Sequence, residues 1–121
     1  MRGDAQESAM TYTLRLRGVT VGWTSLEEGD PATGTAAGAL RPGVGYELVE
    51  PIFQLRTNAA DQETLRRYRD ARATLPLELV DARGTRVRTT ELVIVPAVGD
   101  AAPRLEARIE DPGFWREREG A

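Results

Sequence analysis

A segment rich in glycine and alanine near the middle of the chain limits the folds that the rest of the sequence can adopt. It covers residues 29–45 and leads directly into an apolar stretch at residues 46–55. Glycine lets a neighbouring backbone approach closely. The glycines in the segment include Gly34, Gly38, Gly43 and Gly45. We therefore predict that residues 29–45 form a connection that crosses a sheet in close contact with it.

Two strands are predicted before this segment by the strict alternation of apolar and polar residues. Residues 11–17 place Tyr12, Leu14 and Leu16 on one face, and residues 19–24 alternate in the same way. A single glycine separates the two runs, so we predict that they pair as an antiparallel hairpin.

Two helices are predicted after the segment. The apolar residues of 46–55 fall on helical stripes, which indicates a mostly buried helix. Pro51 leaves two alternatives, because the helix either begins near Gly45 and tolerates the proline or begins at Pro51 itself. A short strand in place of the first turn is a minority alternative. Asp61 is a candidate N-cap for a second, amphipathic helix over residues 61–75.

Three further strands are predicted in the last third of the chain. Residues 77–80 and 85–95 form a second hairpin around a turn at residues 81–84. The apolar run that ends the second of these strands indicates either a strand covered on both faces or a register shift near Thr89. Residues 104–110 alternate apolar with charged side chains, a pattern suited to an edge strand.

Together these elements predict one α+β domain. Its antiparallel sheet has about five strands, formed by two hairpins and an edge strand, and two helices inserted between the hairpins pack on one face. A chain of 121 residues is long enough for one hydrophobic core. We assign the domain to residues 11–111, with a disordered lead-in at residues 1–10 and a C-terminal tail at residues 112–121.

The side-chain types that the chain lacks exclude several kinds of chemistry. It has no His and no Cys, and all 16 of its basic residues are Arg. Without imidazole, thiol or amine side chains, the chain cannot build a Ser-His-Asp triad, a thiolate nucleophile, a Schiff base or a P-loop lysine. We therefore predict that the protein is not an enzyme and carries no metal and no cofactor.

Charge and hydropathy indicate a small cytoplasmic protein of bacterial type. The formal net charge of −3 creates no field strong enough to attract nucleic acid or an anionic membrane. No apolar run is long enough to span a membrane, and no signal peptide is recognisable. We therefore expect no membrane partner, and nucleic-acid binding through the arginines of residues 66–72 ranks below protein binding and small-ligand binding.

Two groups of residues are candidate partner-binding sites. Phe114, Trp115 and Arg116 follow a turn near the C-terminus, where the aromatic rings either fold back over the core or anchor a partner. Arg66 and Arg69 belong to a basic cluster on the second helix, which is otherwise a solvated helix face. We expect a small non-catalytic interaction module, such as an accessory subunit or an immunity or inhibitor protein. Its partner is another protein or a second copy of the chain.

Binding of a small ligand is the alternative function. Its pocket would lie between residues 29–45 and the sheet, lined by Trp23, Arg41 and Tyr46. The glycines match neither the dinucleotide-binding fingerprint nor the P-loop, so close packing is the simpler explanation for them. A Gly38→Leu variant that folds stably but has lost a ligand would favour the pocket.

Overall fold

The computed structural model describes residues 11–120, which form eight strands and three helices. The strands are β1 (Tyr12–Leu16), β2 (Val19–Thr24), β3 (Glu28–Asp30), β4 (Thr35–Pro42), β5 (Leu77–Val80), β6 (Arg86–Val87), β7 (Thr89–Val95) and β8 (Arg104–Ile109). The helices are α1 (Tyr46–Thr57), α2 (Gln62–Ala73) and α3 (Pro112–Gly120). The lead-in expected at residues 1–10 lies outside the described residues.

The strands form an antiparallel sheet that curves into a nearly closed barrel. Its order is β6–β5–β1–β2–β4–β8–β7, with β3 beside β4. Although β6 and β7 stand at opposite ends of this order, only Arg88 separates them along the chain. The sheet therefore curves round until its two ends meet at this residue. The predicted α+β class with an antiparallel sheet is confirmed.

Residues 29–45 do not cross the sheet, because most of them belong to strands within it. β3 and β4 lie in this segment, and β4 takes a central place between β2 and β8. The expected close approach exists, but it joins neighbouring strands. A Cβ atom on Gly38 of β4 would lie only 2.9 Å from the backbone nitrogen of Leu26. The prediction of a connection over the sheet is therefore wrong.

A β-bulge bends β2 into β3 opposite the middle of β4. Thr24 is paired with Leu40 and Glu28 with Ala37, so three residues of one strand face two of the other. Leu26, inside the bulge, is fully buried and has a positive φ of 47°. Its amide donates a hydrogen bond to Oγ1 of Thr24 at 3.1 Å, which replaces a bond to the neighbouring strand. The bulge makes β2 and β3 one bent strand and increases the curvature of the sheet.

The sheet has eight strands instead of the expected five for two reasons. β3 and β4 come from the segment predicted as a connection, and Arg88 divides the strand predicted at 85–95 into β6 and β7. The register shift indicated near the start of β7 is confirmed, between Thr89 and Glu91. β8 is not an edge strand, because it pairs with β4 on one side and with β7 on the other.

The boundaries of the first two helices follow local sequence signals. α1 begins directly after Gly45 and contains Pro51, which agrees with the first of the two alternatives. The N-cap of α2 is confirmed, because Oδ1 of Asp61 accepts a hydrogen bond from the amide of Thr64 at 2.8 Å. None of the helices among the described residues is long and apolar enough to cross a membrane.

α1 packs on the barrel, and α2 packs mainly on α1. Phe53 of α1 is fully buried, and its ring centroid lies 5.9 Å from that of Tyr68 on α2. The guanidinium of Arg72 donates to the carbonyl of Leu75 at 2.9 Å and to the carbonyl of Leu92 in β7 at 3.3 Å. Arg72 thus ties β7 to the segment that precedes β5, although these two strands are not hydrogen-bonded neighbours. Both helices that were predicted are present, and the structure adds a third.

A third helix replaces the predicted C-terminal tail and lies across one end of the barrel. Phe114 of α3 is only 4% exposed, and its ring centroid lies 5.4 Å from that of Tyr12 at the start of β1. Nε1 of Trp115 donates to the carbonyl of Ile109 at the end of β8, at 3.1 Å. Because the strands are antiparallel, the start of β1 and the end of β8 lie at the same end of the barrel. α3 therefore covers that end.

The three tyrosines make the free energy of unfolding depend on pH in the alkaline range. Burial raises the pKa of Tyr12, Tyr46 and Tyr68 above their ordinary value of about 10. The phenols therefore stay protonated in the folded state at a pH where they ionise in the unfolded chain. Their contribution to stability is complete below about pH 10 and is lost as the pH rises towards the raised pKa.

We expect the free energy of unfolding to be constant between about pH 6 and pH 9 and to fall above about pH 10. The chain has no His, Cys or Lys, so no other side chain titrates between the carboxylates and the phenols. Urea unfolding at a series of pH values measures this profile. A Tyr68→Phe variant should lose part of the alkaline decrease. A marked change of stability between neutral pH and pH 9 would contradict the prediction.

Candidate functional site

A cleft of about 480 Å³ lies on the outward face of β3, β4, β8 and β7. The alternation in β8 defines this face. Leu105, Ala107 and Ile109 are buried, whereas Glu106 and Arg108 between them are exposed. The cleft opens on the side where the charged residues lie.

Strand pairing arranges the lining side chains in two rows that run across the strands. The first row is Asp30, Thr35, Arg108 and Glu91, and the second row is Glu28, Ala37, Glu106 and Val93. Neighbours within a row are direct cross-strand partners, whose Cβ atoms lie about 5 Å apart. Because Ala37 is small, it leaves a depression between the charged side chains on either side of it.

Three arginines contribute to the walls of the cleft. Nη2 of Arg104 lies 2.9 Å from Oε1 of Glu28, an ion pair that closes one side. Arg56, in the last turn of α1, lines the cleft from the helical side. The side chains of Arg56 and Arg108 make no hydrogen bond or ion pair with another described residue. Their guanidinium groups are therefore free to bind a ligand.

The acidic residues of the cleft differ in whether their carboxylates have a hydrogen-bond partner. The carboxylates of Glu91 and Glu106 make no hydrogen bond or ion pair within the described part of the chain. Oδ1 of Asp30 accepts a hydrogen bond from the amide of Ala32 at 3.1 Å and stabilises the turn after β3. Among the described residues, no three acidic groups form a cluster that could hold a metal ion.

The residues predicted to line a ligand pocket lie outside this cleft. Trp23 and Arg41 are cross-strand partners on β2 and β4, and Cζ of Arg41 lies 5.7 Å from the Trp23 ring centroid. Tyr46 begins α1 and is buried, and both burial and the neighbouring Glu50 carboxylate raise its pKa. None of these three residues lines the cleft on β3, β4, β8 and β7.

The residues predicted to bind a partner lie on two different helices. Phe114 and Trp115 hold α3 against the barrel, as the folding-back alternative expected. Arg116 is exposed on α3, and Arg66 and Arg69 are exposed on α2. The three arginines are therefore accessible, whereas the Phe114 ring is enclosed by the core.

Sequence reasoning missed the charged residues of the cleft. The alternation of charges in β8 is visible in the sequence, but by itself it indicates the solvated face of an edge strand. Arg108 and Glu106 become cleft residues only because β4 and β7 flank β8, with Ala37 and Val93 as their neighbours. The order of the strands in the sheet decides which residues flank Arg108 and Glu106, and no local pattern in the sequence reveals that order.

A second surface feature is a group of exposed apolar side chains around Gly45. Val19, Val44 and Leu48 are 38%, 84% and 60% exposed. A Cβ atom on Gly45 would lie 2.9 Å from Cγ1 of Val19, Val44 is the preceding residue, and the amide of Leu48 donates to the Gly45 carbonyl at 3.1 Å. We call these three side chains the α1 patch. The other large apolar residue that is well exposed in the described part, Val98, lies in the loop between β7 and β8.

The fold and these surfaces define a small α+β protein with a nearly closed antiparallel barrel, a charged cleft and an exposed apolar patch. Comparison with known proteins found no matching family model, no similar curated protein and no similar solved structure. The geometry and charges of the cleft and of the α1 patch are therefore the basis for inferring the function.

Proposed function

We propose that the protein is a non-catalytic interaction module that binds a second copy of itself through the α1 patch. The observation that carries this proposal is the exposure of three apolar residues, Val19, Val44 and Leu48, whose side chain or backbone lies next to Gly45. Adjacent exposed apolar side chains are characteristic of surfaces that another protein covers, whereas isolated ones are ordinary.

The composition of the chain supports a non-catalytic role. Without His, Cys or Lys, the side chains most often used as bases and nucleophiles near neutral pH are missing. A role in assembly, such as that of a dimeric accessory subunit, needs only a complementary surface.

The charges beside the α1 patch favour a second copy as the partner. Arg17 lies in the turn before Val19, and Glu47 precedes Leu48 on α1, and both side chains are exposed. In a two-fold dimer each copy presents the same surface, and an axis that passes between Arg17 and Glu47 would set Arg17 of one copy opposite Glu47 of the other. The net charge of −3 per chain adds little repulsion at physiological ionic strength.

The mass of the protein in solution tests this proposal. We expect sedimentation equilibrium to show a monomer–dimer equilibrium with a dissociation constant on the order of 10 to 100 μM. A Leu48→Asp variant should raise this constant at least about a hundredfold, because the dimer would bury an unpaired charge. Leu48 is largely exposed, so the variant should fold normally.

A Val98→Asp variant is the matched control, since Val98 is 71% exposed and lies outside the α1 patch. It should dimerise like the wild type. Two results would contradict the proposal: a wild-type protein that stays monomeric far above the expected dissociation constant, or equal losses of dimer in the Leu48 and Val98 variants. A monomer would indicate that a different protein covers the patch.

A further inference from the structure

The cleft on β3, β4, β8 and β7 is lined by charges of both signs. Its acidic residues are Glu28, Asp30, Glu91 and Glu106, and its basic residues are Arg56, Arg104 and Arg108. A ligand of one sign meets nearly as many repelling as attracting groups, whereas a ligand with both signs can face each group with its opposite. The lining therefore favours a ligand that is neutral overall and ionised at both ends.

Two arginines are available to hold the anionic end. The guanidinium groups of Arg56 and Arg108 make no ion pair or hydrogen bond with another described residue, whereas that of Arg104 is already paired with Glu28. A guanidinium can bind a carboxylate through two parallel charge-assisted hydrogen bonds. Because Arg56 comes from α1 and Arg108 from β8, a carboxylate between them is held from two sides.

Two carboxylates are available to hold the cationic end. The carboxylates of Glu91 and Glu106 also make no hydrogen bond or ion pair within the described part of the chain, and the backbone of Glu91 pairs with that of Arg108. Arg108, which attracts an anion, and Glu91, which attracts a cation, are therefore separated by about one strand spacing, roughly 5 Å. An extended dipeptide spans at most about 7 Å, so its two charged ends can reach both residues.

The floor of the cleft suits the uncharged part of such a ligand. Ala37 and Val93, which lie in the second of the two outward-facing rows, line it with small or apolar side chains. The volume of about 480 Å³ lies within the range of small-molecule sites, about 300 to 1,000 Å³. A ligand with small side chains fits this floor better than one with large rings.

We propose that this cleft binds a short zwitterionic peptide, with its carboxylate on Arg56 and Arg108 and its ammonium on Glu91 and Glu106. The site is separate from the α1 patch, none of whose three residues lines the cleft. The protein therefore carries a ligand site in addition to its dimer surface.

Three peptides that differ only in their termini test the assignment of the charges. We titrate isotope-labelled protein with Ala-Ala, N-acetyl-Ala-Ala and Ala-Ala amide and follow the backbone amide resonances of Gly29, Ala37 and Arg108. Ala-Ala should produce saturable shifts with a dissociation constant on the order of 1 mM. Each capped peptide should bind at least about tenfold more weakly. The cap removes one terminal charge of the peptide, so the protein side chains that bind that terminus then have no partner.

Variants of the cleft complete the test. Arg108→Gln and Glu106→Gln should each weaken Ala-Ala binding at least about tenfold, and Arg69→Gln on the exposed face of α2 should leave it unchanged. The titration is repeated in the Leu48→Asp variant, so that failure of dimerisation and failure of ligand binding are distinguished. Equal binding of capped and free peptides overturns the proposal, and so does the absence of saturable shifts about tenfold above the expected constant.

Discussion

Replacing Gly38 with leucine is expected to lower the free energy of unfolding by about 3 kcal/mol or more, or to prevent folding. A Cβ atom at this position would lie 2.5 Å from Oε1 of Glu27 and 2.9 Å from both the backbone nitrogen of Leu26 and Oγ1 of Thr24. Two of these atoms belong to the hydrogen bond that stabilises the β-bulge, so they cannot move away without breaking it. Urea unfolding followed by circular dichroism measures the loss.

The next residue of β4 provides the matched control. Ala39 points to the exposed side of the same strand, and Ala39→Leu places the same side chain there, so we expect a change within about 0.5 kcal/mol. Gly38→Ala should already cost about 1 to 3 kcal/mol. Combining it with Glu27→Ala should recover part of that loss, because the nearest atom is removed. If Gly38→Leu is as stable as Ala39→Leu, the β-bulge does not pack against Gly38 as the structure shows.

Truncating Phe114 to alanine is expected to destabilise the protein by about 3 to 5 kcal/mol. Its ring is enclosed at the end of the barrel, 5.4 Å from the Tyr12 ring and 4.8 Å from the Trp115 ring, measured between centroids. Cζ of Arg118 lies 5.0 Å from the Phe114 ring centroid on the same helix. Alanine would leave a cavity in a core that cannot collapse to fill it.

Thermal and urea unfolding of Phe114→Ala measure this loss, with Arg116→Ala as the control on the exposed side of α3. The control should change stability by no more than about 0.5 kcal/mol. Deleting residues 112–121 should lower the unfolding midpoint at least as far as Phe114→Ala. An unchanged midpoint after the deletion would show that α3 does not cover the barrel.

The elements that local sequence signals define were predicted well. Asp61 can cap a helix through its own side chain, and alternation in residues 11–24 requires only neighbouring residues, so α2 and the first hairpin were recognisable. α1 was recognised for the same reason, because its apolar stripes outweigh the effect of Pro51.

The elements that depend on distant partners were not predicted. Half of the residues of β4 are alanine or glycine, which have low strand propensity, and β4 is a strand through its pairing with β2, β3 and β8. The division at Arg88 likewise arises from the curvature of the whole sheet, which gives β6 and β7 different partners. The cleft was missed for the same reason, since strand order alone brings Arg108 and Glu91 together.

Exchange of charges between Arg17 and Glu47 tests most directly whether the protein binds a second copy of itself through the α1 patch. Arg17→Glu and Glu47→Arg should each raise the dimer dissociation constant about tenfold, because two symmetric pairs become repulsive. Combining both substitutions in one chain restores opposite charges, so sedimentation equilibrium should return a constant close to that of the wild type. A double variant that dimerises no better than the single variants would contradict the proposed two-fold interface.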